Sequence, residues 1–270
     1  MPKTVLALVP HPDDAEFFAG GTIAKMISEE ARVFMVVATD GRKGSFEHES
    51  EKLAVMRAEE ARRAADVMGM EPPVFLGHRD LEVDTLRPGL LREEFIRAIR
   101  QHRPDVLIAP DPFDATEVHP DHRAVAWAAS DAVSFAALPL EHPEHRAEGL
   151  EPHYVPEKYF YRESLQGANK IVDITQTMGR KLAALAEHKS QVVFLVEEVM
   201  RQARIAGLDV EALLGEAAQD PMAALTWAMQ AQGAEAGAKI GVEYGEPFRY
   251  ARFHPLVETL LAASAPPQPS

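Results

Sequence analysis

Strand-like and helix-like segments alternate along the first 135 residues, and this alternation restricts the chain to few folds. Short β-rich apolar runs occur at Thr4–Val9, Arg32–Thr39, Pro73–Gly77 and Asp105–Ala109. Helical stretches follow these runs at Glu16–Glu29, Glu51–Met68, Leu90–Arg103 and Asp121–Phe135. Repeated β-α units of this kind predict an α/β fold with a Rossmann-like parallel sheet flanked by helices.

The second half of the chain is less regular. Residues 136–157 are rich in proline, glutamate and histidine and predict a long loop, which we expect to shape the choice of substrate. The remaining pattern predicts strands at Lys158–Tyr161, Lys170–Ile174 and Pro247–Phe253, a helix at Thr175–Gln191, and a mostly helical stretch at Val192–Gln232. We therefore expect a single domain over residues 1–261, with a mixed helical C-terminal portion and a disordered tail at 262–270.

Charge and composition exclude several classes of function. The net charge of −14 disfavours nucleic acid and anionic membrane surfaces as partners. The absence of cysteine excludes disulfides, thiol catalysis and thiolate metal sites, so any metal must be held by histidine, carboxylate or carbonyl ligands. No run approaches the ~18 apolar residues of a membrane span, and no signal peptide is visible, so we expect a cytoplasmic protein. The oligomeric state is left open, with a homo-oligomer as one alternative.

The first informative motif is Val9-Pro10-His11-Pro12-Asp13-Asp14-Ala15-Glu16, between the first predicted strand and helix. Open parallel sheets bind ligands at the carboxyl ends of their strands. A tight turn can bring His11 and Asp14 onto one metal ion. The alternative interpretation is that Asp13 or Asp14 only caps the following helix.

The second motif is His119-Pro120-Asp121-His122, which follows the fourth predicted strand and opens a helix. Alone, it also fits a helix cap at Asp121 with two surface histidines. Together, the two motifs favour a site with two histidines, one carboxylate and positions open for water, as in catalytic zinc sites. Iron(II) suits the same ligand set. Asp13 is then free to act as a general base and His119 to stabilise an oxyanion or donate a proton.

These motifs resemble the LmbE/PIG-L family of zinc-dependent N-acetylglucosaminyl deacetylases. The resemblance covers about residues 4–191, with a fragment near Glu246, and includes Gly20-Gly21-Thr22 and His188-Lys189-Ser190-Gln191. It implies that His11, Asp14 and His122 bind zinc, that Asp13 is the base, and that His119 faces the developing charge. It also implies that Arg57 and Asp80 contact the substrate.

Other features carry simpler interpretations. Gly20-Gly21 lacks the spacing of a nucleotide loop and indicates close helix packing. Arg57 also fits a solvated helix face, and His188 fits a helix end that favours a cation. His142, His145 and His153 are expected to be solvent-exposed loop residues rather than a second metal site.

We therefore expect a metal-dependent amidohydrolase whose substrate is a small N-acetyl amino sugar or sugar conjugate. Two alternatives remain open at this point. One is a hydratase or lyase that acts on an oxo acid with the same metal site, and the other is a non-catalytic metal- or sugar-binding protein. A free Asp13 beside an intact ligand set argues against simple binding, because binding alone needs no base.

Overall fold

The structure, a computed structural model, describes residues 2–162 and 164–264. Its strands are β1 (Thr4–Val9), β2 (Arg32–Thr39), β3 (Val74–His78), β4 (Val106–Pro110), β5 (Glu157–Tyr161), β6 (Lys170–Asp173) and β7 (Gly245–Ala251). Its helices are α1 (Asp14–Ser28), α2 (Ser50–Met68), α3 (Leu90–His102), α4 (Pro120–Phe135), α5 (Met178–Leu185), α6 (Lys189–Ile205), α7 (Val210–Leu214), α8 (Pro221–Ala238) and α9 (Pro255–Ser264).

All seven strands belong to one sheet, in the order β3-β2-β1-β4-β5-β7-β6. The five strands from β3 to β5 are parallel, which confirms the predicted α/β class. β7 lies between β5 and β6 and is antiparallel to both, so the sheet is mostly rather than wholly parallel. The chain order reverses between β1 and β4. Loops after these two strands therefore lead away from each other and leave a crevice at the carboxyl edge.

Helices cover both faces of the sheet because the side chains of β1 alternate between two cores. Val5, Ala7 and Val9 pack in one cluster with residues of α1 and α2, whereas Leu6 and Leu8 pack in the other with α3 and α4. All five are 0% exposed. A strand buried on both faces explains why β1 is a continuous apolar run rather than an alternating one.

The glycine pair in α1 is required by close packing. A Cβ atom added at Gly21 would lie 2.7 Å from side-chain atoms of Ile174, and one at Gly20 would lie 3.0 Å from Cγ of Lys181. This confirms the packing interpretation of Gly20-Gly21. The buried carboxylate of Glu246 accepts hydrogen bonds from the Gly21 and Thr22 amides at 2.9 and 2.7 Å, which ties β7 to α1.

Most predicted elements are present within two residues of their expected bounds, and β1 and β2 agree at both ends. The single helix expected at Thr175–Gln191 is wrong. α5 ends at Leu185 and a new helix, α6, begins at Lys189. No glycine or proline marks this break in the sequence. It lies where the ring of His188 is fully buried, so tertiary packing rather than local sequence sets it.

Residues 136–157 lie at the amino edge of the sheet, away from the crevice. α4 begins at the carboxyl edge, and its 16 residues carry the chain about 24 Å from it. Arg100, at the end of α3, donates hydrogen bonds to the carbonyl oxygens of Ala136, Leu138 and Glu141 at 3.1, 2.9 and 2.7 Å. The expectation that this segment shapes the substrate cleft is therefore wrong.

Two further expectations concern the chain as a whole. No helix in the described ranges is both long and apolar enough to cross a membrane. α9 extends to Ser264 and so includes the first three residues of the predicted tail, 262–264. The rest of that tail, 265–270, lies outside the described residues.

Substitution of Gly21 tests the packing of α1. We expect Gly21→Ala to lower the free energy of unfolding by about 1–3 kcal/mol, because the added methyl overlaps Ile174. Gly179→Ala is the matched control, since Gly179 lies in α5 with no atom within 4 Å of an added Cβ. It should be neutral or stabilising by up to about 1 kcal/mol. Urea unfolding measures both, and equal midpoints would contradict the packing argument.

Candidate active site

The two histidine motifs meet at the crevice between β1 and β4. His11 and Asp13 lie in the turn after β1, and Asp14 is the first residue of α1. His119 and His122 lie at the start of α4, which follows β4. Residues more than a hundred positions apart are thus brought together because β1 and β4 are parallel neighbours.

Three side chains converge with the spacing of a metal's ligands. Nδ1 of His11 lies 3.2 Å from Nε2 of His122 and 3.2 Å from Oδ2 of Asp14. Oδ1 of Asp14 lies 3.3 Å from the same nitrogen of His122. A tetrahedral ion with bonds of about 2.0–2.1 Å separates its ligand atoms by about 3.3 Å. The residues therefore fit a divalent metal, and this His/Asp cluster could hold one.

Carboxylates support the far side of both imidazoles. Nδ1 of His122 lies 2.9 Å from Oε2 of Glu117. Nε2 of His11 lies 3.3 Å from Oδ1 of Asp80 and 3.4 Å from Oδ2 of Asp121. Metal-binding histidines usually have such a partner, which fixes the ring and its tautomer. Sequence reasoning did not identify Glu117 or Asp121 as partners of the two imidazoles. The one signal that could have identified them is their closeness in sequence to His122.

Charge interactions inside the site shift the pKa of each ligand strongly. Burial alone would lower the pKa of His122, but the Asp14 carboxylate and Glu117 outweigh it and raise the pKa to about 10. Burial is likewise outweighed at His11, whose pKa is raised well above its usual value by Asp14. The two imidazoles hold the pKa of Asp14 well below its usual range despite its burial. Without a metal, the site therefore retains protons that a metal must displace.

Asp13 is held by a buried arginine. Nη2 of Arg57 donates to Oδ1 of Asp13 at 2.7 Å, and Nη1 donates to the carbonyl oxygen of Gly41 at 2.9 Å. Gly41 has φ +61°, and a Cβ there would lie 2.2 Å from Nη1 of Arg57. Arg57 is only 3% exposed, so it is not one of the solvated charges of α2. Its geometry fixes one oxygen of Asp13 and leaves Oδ2 to accept a proton.

His119 is arranged as a neutral hydrogen-bond donor. Its Nδ1 accepts a hydrogen bond from the backbone amide of Asp121 at 3.2 Å, so the ring proton of the neutral form is on Nε2. Burial and the positive charges of His11 and His122 lower the pKa of His119. His119, not Asp121, is thus the residue whose side chain caps α4.

The aspartates expected as simple helix caps have other partners. Asp13 occupies the cap position of α1, but its side chain makes no capping hydrogen bond in the described chain. Asp121 accepts from the amides of Leu81 and Val83 at 2.7 and 3.3 Å, which joins α4 to the loop after β3.

Asp80 accepts from the Lys43 amide at 2.9 Å and is 3% exposed. Burial would raise the pKa of Asp80, but His11 and the Lys43 amide lower it. The Asp80 carboxylate is directed at His11. Contact of Asp80 and Arg57 with substrate stays a prediction.

The cleft divides into two arms that meet at Asp13 and Asp14. The polar arm, of about 350 Å³, is lined by residues that include Lys43, Arg57, Asp80, His119 and Glu198. The apolar arm, of about 390 Å³, is lined by Phe17, Phe18, Leu195, Met229 and Gln232. Gln191 and Phe194 of α6 line both arms. Sequence reasoning missed the apolar arm, because its side chains read as ordinary core residues of three separate helices.

Two other histidine groups lie outside the proposed metal site. His188 and Glu16 are fully buried beside the site, 3.6 Å apart, where Glu16 raises the pKa of His188 against the effect of burial. His145 is also fully buried, so its predicted exposure is wrong. Its Nδ1 lies 3.1 Å from Arg100 and its Nε2 lies 2.8 Å from Glu93. Both nitrogens are engaged, which argues against a metal site formed with His142 and Glu144.

Comparison with known proteins agrees with this geometry. The profile of the PIG-L family, described as GlcNAc-PI de-N-acetylase, matches residues 6–133. The diacetylchitobiose deacetylase of Thermococcus kodakarensis is 37% identical over 191 residues, which are 70% of each chain. The N,N'-diacetylchitobiose deacetylase of Pyrococcus horikoshii superposes with a TM-score of 0.76 and 29% identity, over 95% of this chain and 88% of that one.

A third likeness concerns the fold alone. The 4-carboxy-2-hydroxymuconate hydratase GalB of Pseudomonas putida superposes with a TM-score of 0.67 but is only 17% identical, over 93% of this chain and 97% of that one. The much higher identity to the Thermococcus protein over two thirds of both chains is what establishes kinship. The family inferred from the two histidine motifs is thereby confirmed: this chain belongs to the LmbE/PIG-L family of deacetylases.

Proposed function

We propose that the protein is a zinc-dependent hydrolase that removes the acetyl group from an N-acetyl amino sugar or sugar conjugate. The observation that carries the proposal is the convergence of His11, Asp14 and His122 within 3.2–3.3 Å, next to the Asp13 carboxylate. Two relatives are named as deacetylases of diacetylchitobiose, which supports an amide of an amino sugar as the substrate. We assign His11, Asp14 and His122 as the metal ligands.

Zinc is our choice of metal because of the donor set. Two imidazoles and one carboxylate with open positions are typical of catalytic zinc sites, although iron(II) accepts the same ligands. When bound, zinc supplies a Lewis acid that polarises an amide carbonyl and lowers the pKa of water towards about 7. His119 also has a ring nitrogen near those of His11 and His122. We do not assign His119 as a ligand. Its Nδ1 accepts a hydrogen bond from the Asp121 amide, so its Nε2 carries the ring proton and has no lone pair for a metal.

The remaining chemistry belongs to Asp13, Arg57 and His119. Oδ2 of Asp13 takes the proton from the attacking water while Arg57 holds Oδ1. Nε2–H of His119 donates to the oxygen that gains charge as the tetrahedral intermediate forms. Protonated Asp13 then hands its proton to the leaving amine, so the C–N bond breaks without release of an amide anion.

One alternative keeps the site and changes the reaction. A hydratase acting on an oxo acid shares this fold, as the likeness to GalB shows, but a likeness at 17% identity extends no further than the fold. Release of acetate and free amine from N-acetylglucosamine conjugates would support the deacetylase. Hydration of an oxo acid without acetate release would replace it, and metal binding without either reaction would leave a binding protein.

Zinc affinity should keep rising with pH above neutrality. The raised pKa of His122, about 10, means that zinc must displace a proton throughout this range. A histidine with an ordinary pKa near 6.5 would stop contributing above about pH 7.5. We expect the apparent affinity, measured by competition with a chelator, to rise at least about tenfold per pH unit from about pH 7.5 to 9, and more steeply wherever His11 also loses a proton to the metal.

The ligand assignment has its own control. His122→Ala should bind zinc at least about tenfold more weakly, because one of three ligands is lost. The exposed His254→Ala should bind as the wild type does. Chelation should abolish turnover and zinc should restore it. Unchanged zinc content in His122→Ala, or full turnover in metal-free protein, would overturn the assignment.

Arg57→Lys tests how the base is held. One ammonium cannot reproduce the two-pronged contact with Asp13 and Gly41, so we expect kcat to fall about 10–100-fold with zinc content unchanged. Arg62→Lys on the same helix is the control, because Arg62 is exposed and contacts Glu59 and the ring of Phe75 rather than Asp13. Steady-state kinetics with metal analysis measures both, and equal kcat values for the two variants would show that the pairing is dispensable.

The adjacent aspartates separate metal binding from proton transfer. Asp14→Asn should lower zinc affinity, since it removes a charged ligand. Asp13→Asn should keep zinc, because Asp13 faces Arg57 rather than the imidazoles. Its kcat should fall roughly 10²–10⁴-fold with little change in KM, the usual contribution of a general base.

Metal content and kcat of both variants decide the assignment. Loss of zinc in Asp13→Asn with retention in Asp14→Asn would reverse the two roles. Retention of both zinc and full activity in Asp13→Asn would assign the base to another residue.

A further inference from the structure

The apolar arm opens directly beside the reacting atoms. Asp13 and Asp14 line both arms, so an amide carbonyl near them has one arm on each side. Hydrolysis adds water to the carbonyl carbon and breaks the C–N bond, giving a carboxylic acid and an amine. The acyl chain and the amino sugar extend from opposite sides of that bond. The two arms are therefore placed to receive the acyl chain and the sugar on opposite sides of the amide.

Sugar hydroxyls are suited to the polar arm. Lys43, Asp80 and Glu198 offer charged or polar groups there. Apart from the shared Asp13 and Asp14, the apolar arm has no charged residue among the described residues that line it, and its other polar side chains are those of Gln191 and Gln232. A sugar hydroxyl packed against Phe17, Phe18 or Leu195 finds no hydrogen-bond partner on those side chains, and a hydroxyl left without a partner weakens binding roughly tenfold or more. The sugar therefore belongs in the polar arm, and the acyl group in the apolar arm.

An acetyl group would leave most of the apolar arm unused. A methyl group is about the size of a water molecule, whose share of liquid volume is about 30 Å³. The arm has a volume of about 390 Å³. Water that stays in such an arm contacts the aromatic side chains of Phe17, Phe18 and Phe194, and a longer acyl chain would displace it.

The walls of the apolar arm are anchored by packing. Phe18 stacks on Tyr161 with ring centroids 5.0 Å apart and meets the ring of His122 edge-on at 6.1 Å. Phe17, Leu195 and Met229 pack against a buried cluster formed by Leu185, Val192 and Leu225. The apolar arm is thus lined by packed helical side chains and lies beside His122, a proposed metal ligand.

Building on the proposed deacetylase function, we propose that the apolar arm binds the acyl chain and that the enzyme prefers N-acyl amino sugars with acyl groups of about four to eight carbons over N-acetyl sugars. Each methylene removed from water adds up to about fourfold to binding. The arm opens to solvent at the cleft, so the gain per methylene is smaller than this limit.

The test compares N-acetyl-, N-butyryl-, N-hexanoyl- and N-octanoyl-glucosamine with the full-length, zinc-loaded protein. We expect kcat/KM, measured by release of free amine, to rise about 10–100-fold from acetyl to hexanoyl. Met229→Trp, which narrows the arm, should reduce this ratio at least about fivefold. Ala231→Trp is the matched control, because Ala231 is exposed on the same helix and lines neither arm, and it should keep the ratio of the wild type.

A second series tests the other occupant. Methyl and octyl β-glycosides of N-acetylglucosamine place the alkyl chain on the sugar instead of on the nitrogen. A gain with octyl glycoside and none along the acyl series would overturn the proposal and assign the arm to the aglycone. A flat response along the acyl series, or an unchanged ratio in Met229→Trp, would also overturn it.

Binding of the acid product distinguishes failure of the arm from failure of the proposed function. Hexanoate should bind the zinc-loaded protein at least about tenfold more tightly than acetate, and Met229→Trp should remove most of that difference. If no sugar amide is hydrolysed but this difference is found, the proposed deacetylase function is wrong, whereas binding of the acyl chain in the apolar arm is supported. Equal binding of the two acids would contradict the proposal that the apolar arm binds the acyl chain.

Discussion

The Asp14 carboxylate holds the two halves of the site together. Its oxygens lie 3.2 Å from His11 and 3.3 Å from His122, which come from the loops after β1 and β4. Neither loop alone contributes all three of the proposed metal ligands. Asp14 is also the first residue of α1, where the helix dipole favours a negative charge. A single carboxylate therefore joins the ends of two neighbouring strands, the start of α1 and the proposed metal site.

The charge around Asp14 suggests why so many carboxylates surround the site. Both α1 and α4 point their N-terminal ends at the ligands, and these ends repel a cation. Five carboxylates, those of Asp13, Asp14, Asp80, Glu117 and Asp121, offset this repulsion. A divalent metal that displaces one proton from each imidazole leaves the net charge unchanged, so the same surroundings can accept both states.

Sequence reasoning succeeded where local pattern and topology agree. β1 and β2 are continuous apolar runs, and the carboxyl ends of parallel strands converge in any open sheet, so the pairing of the His11 and His122 motifs follows from the pattern. It failed where distant contacts decide. The break before α6 depends on the burial of His188 beside Glu16, which no local signal marks. Residues 136–157 were placed near the cleft because they follow α4, but the length of that helix carries them to the opposite edge.

The proposed chemistry and one wall of the apolar arm occupy different parts of the chain. The proposed ligands and base, together with the carboxylates behind them, all lie within residues 6–133, the segment that matches the family profile. Leu195, Met229 and Gln232 of the apolar arm lie beyond it, on α6 and α8. Both helices lie outside the sheet whose strand ends position the proposed ligands. Substitutions on α6 and α8 can therefore reshape the arm without moving His11, Asp14 or His122. A fold that keeps its proposed ligands near strand ends and one wall of its cleft on outer helices can alter that wall while the ligands stay in place.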